Sequence, residues 1–493
     1  MYNTTLVEQV KEHRDYSPSD FLDRELELEQ IAKRIDFGRA GKGIEQPLIN
    51  FWGVPGIGKS WFLRHLQHVY RFQPKALTSG QRPTFTALFD FRGLSRDISP
   101  IPRVAKEMAE QVRTQLGSAM SDDISADLEK VLRWSVNARR ADRGIDLFTN
   151  MINLLSQTFV PILLFDSSEL VGEEVRDDLE ERIIEPVIWN DRVIIVVAGR
   201  RQIPRWKRFE VRRRAADPSN AEIKPFEKTE VRAQLGKWGF TALADDVYAY
   251  SYGHPKTTEL LGQILKRISE KTAVDSKFLI RSKQEFTDFL GQVEDHILEE
   301  MPPVLRVTLE LIGVLRYFRI DPLRKFMVEF RGEEYQKKPD SFYLNNVIGA
   351  MEETNLVWWS RPHRAYVVSS VVRRIINRRL DLFDHDYYVR LHGKALAMYL
   401  EWIQEFPRNA SEFLVEAVFH LAMLYKDSDQ AKFREGIQAR LSDAEKLSSE
   451  EANTLYEQLA SDRELEDTLS SEGYHRLLKE FAAVRDHKSQ DPN

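Results

Sequence analysis

Residues 53 to 60 read Gly-Val-Pro-Gly-Ile-Gly-Lys-Ser, the spacing G-x-x-x-x-G-K-[ST]. Gly53, Gly56 and Gly58 let the backbone curl so that successive N–H groups converge on the oxygens of a phosphate chain. Lys59 brings a long cation to the outer phosphates, and Ser60 offers a hydroxyl to a Mg2+ ion. Such a site also needs a carboxylate from a second strand, and the apolar run from Pro161 to Phe165 ends in Asp166, placed to hold the metal's water shell. Ser60 and Asp166 are therefore the candidate metal residues. Hydrolysis requires a group that positions water. Ser167 and Ser168 follow the aspartate, so Glu169, the first carboxylate beyond it, is the candidate base. A third run, Arg192 to Ala198, ends in Gly199-Arg200-Arg201, and Arg200 is placed to meet a γ-phosphate. A solvated basic loop is the open alternative there.

These residues need a parallel sheet to gather them. LINFW enters the glycine loop, Lys59 to Tyr70 is helical by pattern, and short apolar runs recur at Phe85 to Phe89, Ile162 to Phe165 and Val193 to Val197 between helical stretches. That alternation predicts an α/β fold with a parallel sheet. Upstream, Leu28, Ile31 and Ile35 recur at helical spacing after Asp23, an expected N-cap. After Pro218 the segments 228–236, 241–251 and 255–270 read as helices punctuated by Gly239, Gly253 and Pro255. Helices are expected at Pro303 to Phe318, Asp321 to Phe330 and Ser341 to Glu353, then a hairpin of Val357 to Trp359 and Ala365 to Val368, the makings of a winged helix. Helices fill the rest. We expect an N-terminal segment 1–19, a P-loop nucleotide-binding domain 20–217, a helical lid 218–300, a winged helix 301–382, an all-α domain 383–485 and a frayed tail 486–493.

The chain has 493 residues, 42% hydrophobic and 30% charged, the composition of a multidomain globular protein. Cysteine is absent, which excludes disulfides, thiolate metal sites and thiol nucleophiles. No apolar run approaches the length of a membrane span, and Met1 to Phe21 carries charges without an apolar stretch. The expectation is a cytoplasmic protein that meets no membrane. The net charge of -6 is local: Leu441 to Arg485 holds eleven acidic and five basic residues. The remainder is close to neutral.

In chain order these motifs resemble the STAND class of P-loop signal-transduction ATPases, relatives of the AAA+ group that include NACHT, NB-ARC and bacterial regulatory ATPases. Phe21-Leu22-Asp23-Arg24-Glu25-Leu26-Glu27-Leu28 is similar to the family box that borders the adenine, with Arg24 and Glu25 matching and Asp23 in place of the usual glycine. Val196-Val197-Ala198-Gly199-Arg200 resembles its sensor strand. Gly253-His254-Pro255 resembles its Gly-x-Pro motif, whose proline packs on the base. The resemblance covers roughly residues 20 to 425. It implies an ATP/ADP switch in which ADP holds the domains closed, ATP opens them, and the open form self-assembles. Two departures stand out. Ser167 replaces an acidic residue after the aspartate, favouring slow turnover, and Ser369-Ser370 replaces a His-Asp pair.

An origin-recognition-like AAA+ ATPase is the nearest rival; it would use the winged helix to bind DNA. The expected recognition helix, Asp340 to Glu353, carries no Lys or Arg, whereas groove entry needs cations. Basic residues do occur at Arg361, His363, Arg364, Arg373, Arg374, Arg378 and Arg379. A denser group, from Arg200 and Arg201 through Arg205, Lys207 and Arg208 to Arg212, Arg213 and Arg214, is interleaved with Trp206 and Phe209. It suits nucleic acid, or phosphate, or an acidic surface such as the segment from Leu441 to Glu480. A non-hydrolysing, nucleotide-bound scaffold is the third reading. His65 and His68, and Asp384-His385-Asp386, lack a further metal ligand nearby and read as packing or surface groups. Lacking an evident effector domain, the chain is expected to act through a separate effector or sensor protein.

Overall fold

A computed structural model describes residues 16–73, 81–93, 100–134, 140–200, 202–203, 205–269, 302–354, 356–360, 363–426 and 428–490. The chain divides into two compact units, Met1–Phe278 and Leu279–Asn493.

Among the described residues the first unit is built on four parallel strands, β1 (Leu48–Trp52), β2 (Thr84–Asp90), β3 (Val160–Asp166) and β4 (Ile194–Gly199), in the order β1-β4-β3-β2. Their near-continuous apolar composition is what burial on both faces demands. Successive side chains sort by the period of two. Leu163, Phe165, Ile195 and Val197 join one core with α3 (Pro100–Leu116), α4 (Asp122–Trp134) and α5 (Ala141–Leu155). Ile162, Leu164, Ile194 and Val196 join the opposite core with Ile31 and Ile35 of α1 (Glu25–Arg39) and Phe62, Leu63 and Leu66 of α2 (Lys59–Tyr70). The chain returns along the free side of β1 through isolated parallel bridges, Leu48 to Ala215 and Trp52 to Glu222.

Parallel register decides where the chemistry falls. Trp52 pairs with Gly199 and Asp90 with Asp166, so every strand ends on one edge, where α/β sheets place ligands. The segment after β3 forms α6 (Glu173–Leu179), prolonged by a π-turn at Glu180–Ile184 and a last turn at Glu185–Ile188. Beyond β4 come α7 (Phe209–Arg214), α8 (Lys228–Gly236), α9 (Ala244–Ser251) and α10 (Pro255–Ser269). The expected N-cap at Asp23 is displaced by one residue. Asp23 and Arg24 both have positive φ, 59° and 81°, and the helix starts at Glu25 without a side-chain cap. Aspartate tolerates that left-handed region better than most residues, which accounts for Asp23 standing where glycine was expected.

In the second unit, α11 (Pro303–Ile312), β5 (Tyr317–Phe318), α12 (Ile320–Arg331), α13 (Asp340–Phe342, continued by a π-turn at Tyr343–Ile348 and by Gly349–Glu353), β6 (Val357–Ser360) and β7 (Ala365–Val368) follow in turn. The strands form an antiparallel sheet ordered β5-β7-β6. The helix expected to reach Phe318 stops at Ile312, because Gly313 ends it and Tyr317 and Phe318 pair with Val367 and Tyr366. Among the described residues seven helices follow: α14 (Ser370–Phe383), α15 (His385–Glu405), α16 (Ala410–Tyr425), α17 (Gln430–Ala444), α18 (Ser449–Ala460), α19 (Arg463–Thr468) and α20 (Ser471–Gln490). The frayed tail expected from residue 486 is instead helical through Gln490.

A buried ionic network joins these elements. The Arg316 guanidinium donates to Glu416 at 2.7 and 3.1 Å and also to Asp462, and it lies 4.4 Å over the Phe419 ring. Arg373 pairs with Glu464, Arg374 with Asp467 at 2.8 Å, Arg378 with Asp381 at 2.9 Å and Arg379 with Glu310. Four of the arginines that suggested nucleic acid in this region are thus neutralised inside the unit, two of them, Arg373 and Arg374, by the acidic C-terminal run. Next to the network His392 and His420 are fully buried, with their Nδ1 atoms 2.8 Å apart. One must donate and the other accept, so the accepting ring is neutral. Burial, aided by the Arg373 charge, pushes His392 down to about 3. Burial pushes His420 well below the ordinary value, and the His392, Arg316 and Arg373 charges add to the effect.

Two outcomes follow for the second unit. Arg316→Met strands two buried carboxylates and is expected to cost about 3–5 kcal/mol in urea unfolding; a loss under ~1 kcal/mol would mean the network is hydrated in solution. The unfolded chain protonates both histidines near pH 6.5 whereas the folded chain does not, so their contribution is present above about pH 6.5 and is lost as pH falls toward 3. His392→Leu is therefore expected to flatten the fall in stability between pH 7 and 5, and identical slopes would contradict the buried neutral pair.

Candidate nucleotide site

The loop between β1 and α2 takes its shape from glycine. Gly56 and Gly58 have φ of 78° and 103°, a region open to glycine at little cost. A Cβ on Gly53 would lie 3.0 Å from the Ile223 carbonyl oxygen. Lys59 opens α2, and its Nζ donates to the carbonyls of Gly53 at 2.7 Å and Val54 at 2.9 Å. Burial lowers its pKa to about 8; Glu169 and Asp166 oppose that shift, and Arg200 and Arg92 reinforce it. The ammonium is costly to leave unpaired, and anionic ligands lower that cost.

Asp166, at the end of β3, is 3% exposed. Its Oδ1 accepts the Ser167 N–H at 2.8 Å, and Ser60 hydrogen-bonds to the carboxylate. Burial raises the Asp166 pKa against that hydrogen bond. Oxygen donors alone, with one or two carboxylates, suit Mg2+, and Ser60 and Asp166 supply that set. No group of three or more His, Asp or Glu able to hold a metal occurs among the described residues. His65 instead bonds Tyr16 at 2.8 Å and stacks on Phe21, while His385 bonds Asp381 at 2.9 Å.

Glu169 and Arg200 meet each other. The Arg200 backbone N–H donates to Glu169 Oε2 at 3.1 Å and its Nε lies 3.2 Å from Oε1. The candidate base and the candidate sensor are thus one ion pair at the rim of the site. Gly199 makes room for it, since a Cβ there would collide with the Ser168 hydroxyl.

Asp90 and Arg92 also stand at the site, although no sequence motif marks them. Arg92 Nε and Nη2 grip Asp90 at 2.6 to 3.1 Å, and Nη2 lies 3.5 Å from both Asp166 Oδ2 and Ser60 Oγ. Burial disfavours the charged Asp90 carboxyl, but Arg92 outweighs burial and holds its pKa below the ordinary value. The available signal was positional, because Asp90 ends its apolar run as Asp166 ends the next.

Arg24 is 4% exposed. It donates to the carbonyls of Ile57 at 2.8 Å and Lys224 at 2.7 Å, with its guanidinium 4.8 Å over Phe226. It braces the phosphate loop directly. Glu25 is exposed at the start of α1, and the structure does not bring it to the loop. Gly253, with φ of 74°, packs so tightly on Phe226 that any Cβ would overlap its carbonyl. Pro255 is the first residue of α10, and its carbonyl accepts from Gln234 at 3.0 Å.

The basic stretch beyond β4 is largely paired within its own unit. Lys207 meets Asp177 at 2.5 Å and Glu173 at 3.0 Å, Arg208 meets Glu181 and Glu185, and Arg213 meets Glu210 at 3.0 Å. Arg214 meets Asp191 and Glu210, and Trp206 is buried. Arg201 and Arg361 lie outside the described residues.

No family model and no curated protein matches the chain. Among solved structures it is similar to a Walker-type ATPase of Pyrococcus abyssi, at 15% identity over 74% of this chain and 99% of that one, with a TM-score of 0.48. It is also similar to the Aeropyrum pernix ORC1 protein solved in complex with DNA, at 14% identity, 75% and 94% coverage and a TM-score of 0.37. A third likeness is to the Thermotoga maritima RuvB Holliday junction branch migration motor, at 11% identity, 72% and 95% coverage and a TM-score of 0.31. These are likenesses of architecture at low identity, and the chemistry of the site is carried by its own residues.

Proposed function

We propose that the chain is a Mg2+-dependent ATP-binding ATPase of the AAA+ kind, working as a slow nucleotide-controlled switch of the STAND type. The observation that carries this reading is the convergence on one sheet edge of the glycine loop, the buried Lys59, Ser60, Asp166, Glu169 and Arg200. In this reading the loop N–H groups and Lys59 hold the phosphates, and Ser60 and Asp166 hold the ion. Bound Mg2+ supplies charge neutralisation at the phosphate oxygens. Glu169 accepts a proton from the attacking water, and Arg200 offsets charge developing on the phosphate. Both tasks require Glu169 and Arg200 to part, which favours slow turnover. Arg24 braces the phosphate loop, and Gly253 and Pro255 shape the base side.

The second reading is an origin-recognition-like ATPase that grips DNA. It is favoured by the order of elements from α11 to β7, which fits a winged helix. The internal ion pairs of Arg373, Arg374, Arg378 and Arg379 favour instead a structural role for that module. As a switch, the chain signals through a separate effector or by nucleotide-dependent self-assembly. Duplex DNA binding that weakens steeply between 50 and 200 mM salt would support the second reading over the first.

Lys59→Ala is expected to lose about 2–3 kcal/mol of ATP affinity, on the order of a hundredfold in Kd by calorimetry; wild-type affinity would remove the site assignment. Glu169→Gln is expected to keep ATP affinity within about threefold while phosphate release slows on the order of a hundredfold. An unchanged rate would place the base elsewhere.

A further inference from the structure

His254 lies between two residues of the Gly-x-Pro motif yet has no assigned part in the site. It is 1% exposed. Its Nε2 lies 2.8 Å from the carbonyl oxygen of Pro55, inside the phosphate loop, and its Nδ1 lies 2.7 Å from the Thr257 hydroxyl. A carbonyl oxygen only accepts, so Nε2 carries the proton and Nδ1 accepts from Thr257. The Thr257 backbone N–H, 3.3 Å from Nδ1, supports the same tautomer. Contact with the loop is close. A Cβ on Gly56 would lie 2.7 Å from His254 Cε1 and 2.9 Å from Lys256 Cβ.

The geometry of the peptide bond turns this contact into a device. In a trans peptide the C=O of one residue and the N–H of the next point in opposite directions, and among the described residues no peptide is cis. Holding the Pro55 carbonyl toward α10 therefore aims the Gly56 N–H the other way. Arg24 does the same one step on, since its bond to the Ile57 carbonyl sets the Gly58 N–H. Pro55 itself has no N–H, so the donors at 56 and 58 matter more to the loop's grip. One is set from the N-terminal segment and the other from the lid.

We propose that His254 is a positioning residue that orients the Gly56 N–H for phosphate, so that the seating of α10 and the grip on phosphate are a single equilibrium. The proposal rests on the nucleotide reading above and adds the coupling. A lid that swings away withdraws His254, releases the Pro55–Gly56 peptide and weakens the site. A lid held down by bound nucleotide keeps the peptide aimed.

The test compares full-length wild type, His254→Leu, His254→Gln and Thr257→Val, titrated with fluorescent ADP and, by competition, with adenosine. Leucine and glutamine have similar bulk, but only glutamine donates a hydrogen bond. His254→Leu is expected to weaken ADP about tenfold, the worth of roughly one hydrogen bond, and His254→Gln to recover to within about threefold of wild type. Thr257→Val, which keeps the imidazole but loses the hydroxyl donor, is expected to weaken ADP about two- to threefold. Adenosine affinity is expected to be unchanged throughout. Equal ADP affinity in wild type, His254→Leu and Thr257→Val overturns the proposal, as does an equal loss for adenosine and ADP. If His254→Leu does not fold, Thr257→Val and His254→Gln carry the test. Failure of wild type to bind ADP at all overturns the nucleotide reading, and the coupling with it.

Discussion

The burial of the Lys59 ammonium is the constraint around which the first unit is arranged. A cation taken out of water needs compensation, and here it comes from two loop carbonyls and from the charges of Asp166 and Glu169. Those carboxylates are held in turn, Asp166 by Ser60 and the Ser167 N–H, and Glu169 by Arg200. Parallel register makes the arrangement available, because it ends β1, β2, β3 and β4 on one edge. A one-residue slip in β3 would turn Asp166 to the other face of the sheet and replace a charge by an apolar side chain.

Much of this was legible in the amino-acid order, and the reasons are physical. Strands buried on both faces must be continuously apolar, so β1, β3 and β4 announce themselves within a residue or two. The glycine loop is legible because few backbones can take its shape. Asp90 and Arg92 were not, since an aspartate ending an apolar run is common and only the sheet register sets this one beside Asp166. The partnership of Glu169 with Arg200 joins residues 31 positions apart through adjacent strand ends, which local spacing does not encode. His254 was hidden for a related reason: its partner, Pro55, is 199 positions away. Tyr317 and Phe318 leave the helical pattern because β7 offers them a ladder.

The net charge of -6 has a structural meaning in the second unit. Carboxylates of the acidic C-terminal run meet Arg316, Arg373 and Arg374 of the helix and strand module. A composition that suggested a free acidic surface and a separate basic one is in part a single internal network. The stretch beyond β4 behaves similarly within the first unit, where acidic residues of α6 and its extension face Lys207 and Arg208. Clusters of one sign along a chain thus say little about partners until their own fold has been searched for counter-charges.

In the proposed function this sheet edge is a magnesium-assisted triphosphate site. Its most direct test is calorimetric titration of the full chain with ATP, in Mg2+ and again in excess chelator. One site per chain is expected, with an affinity that falls at least about tenfold when the metal is removed. Absence of binding in Mg2+, or binding indifferent to the metal, would contradict it.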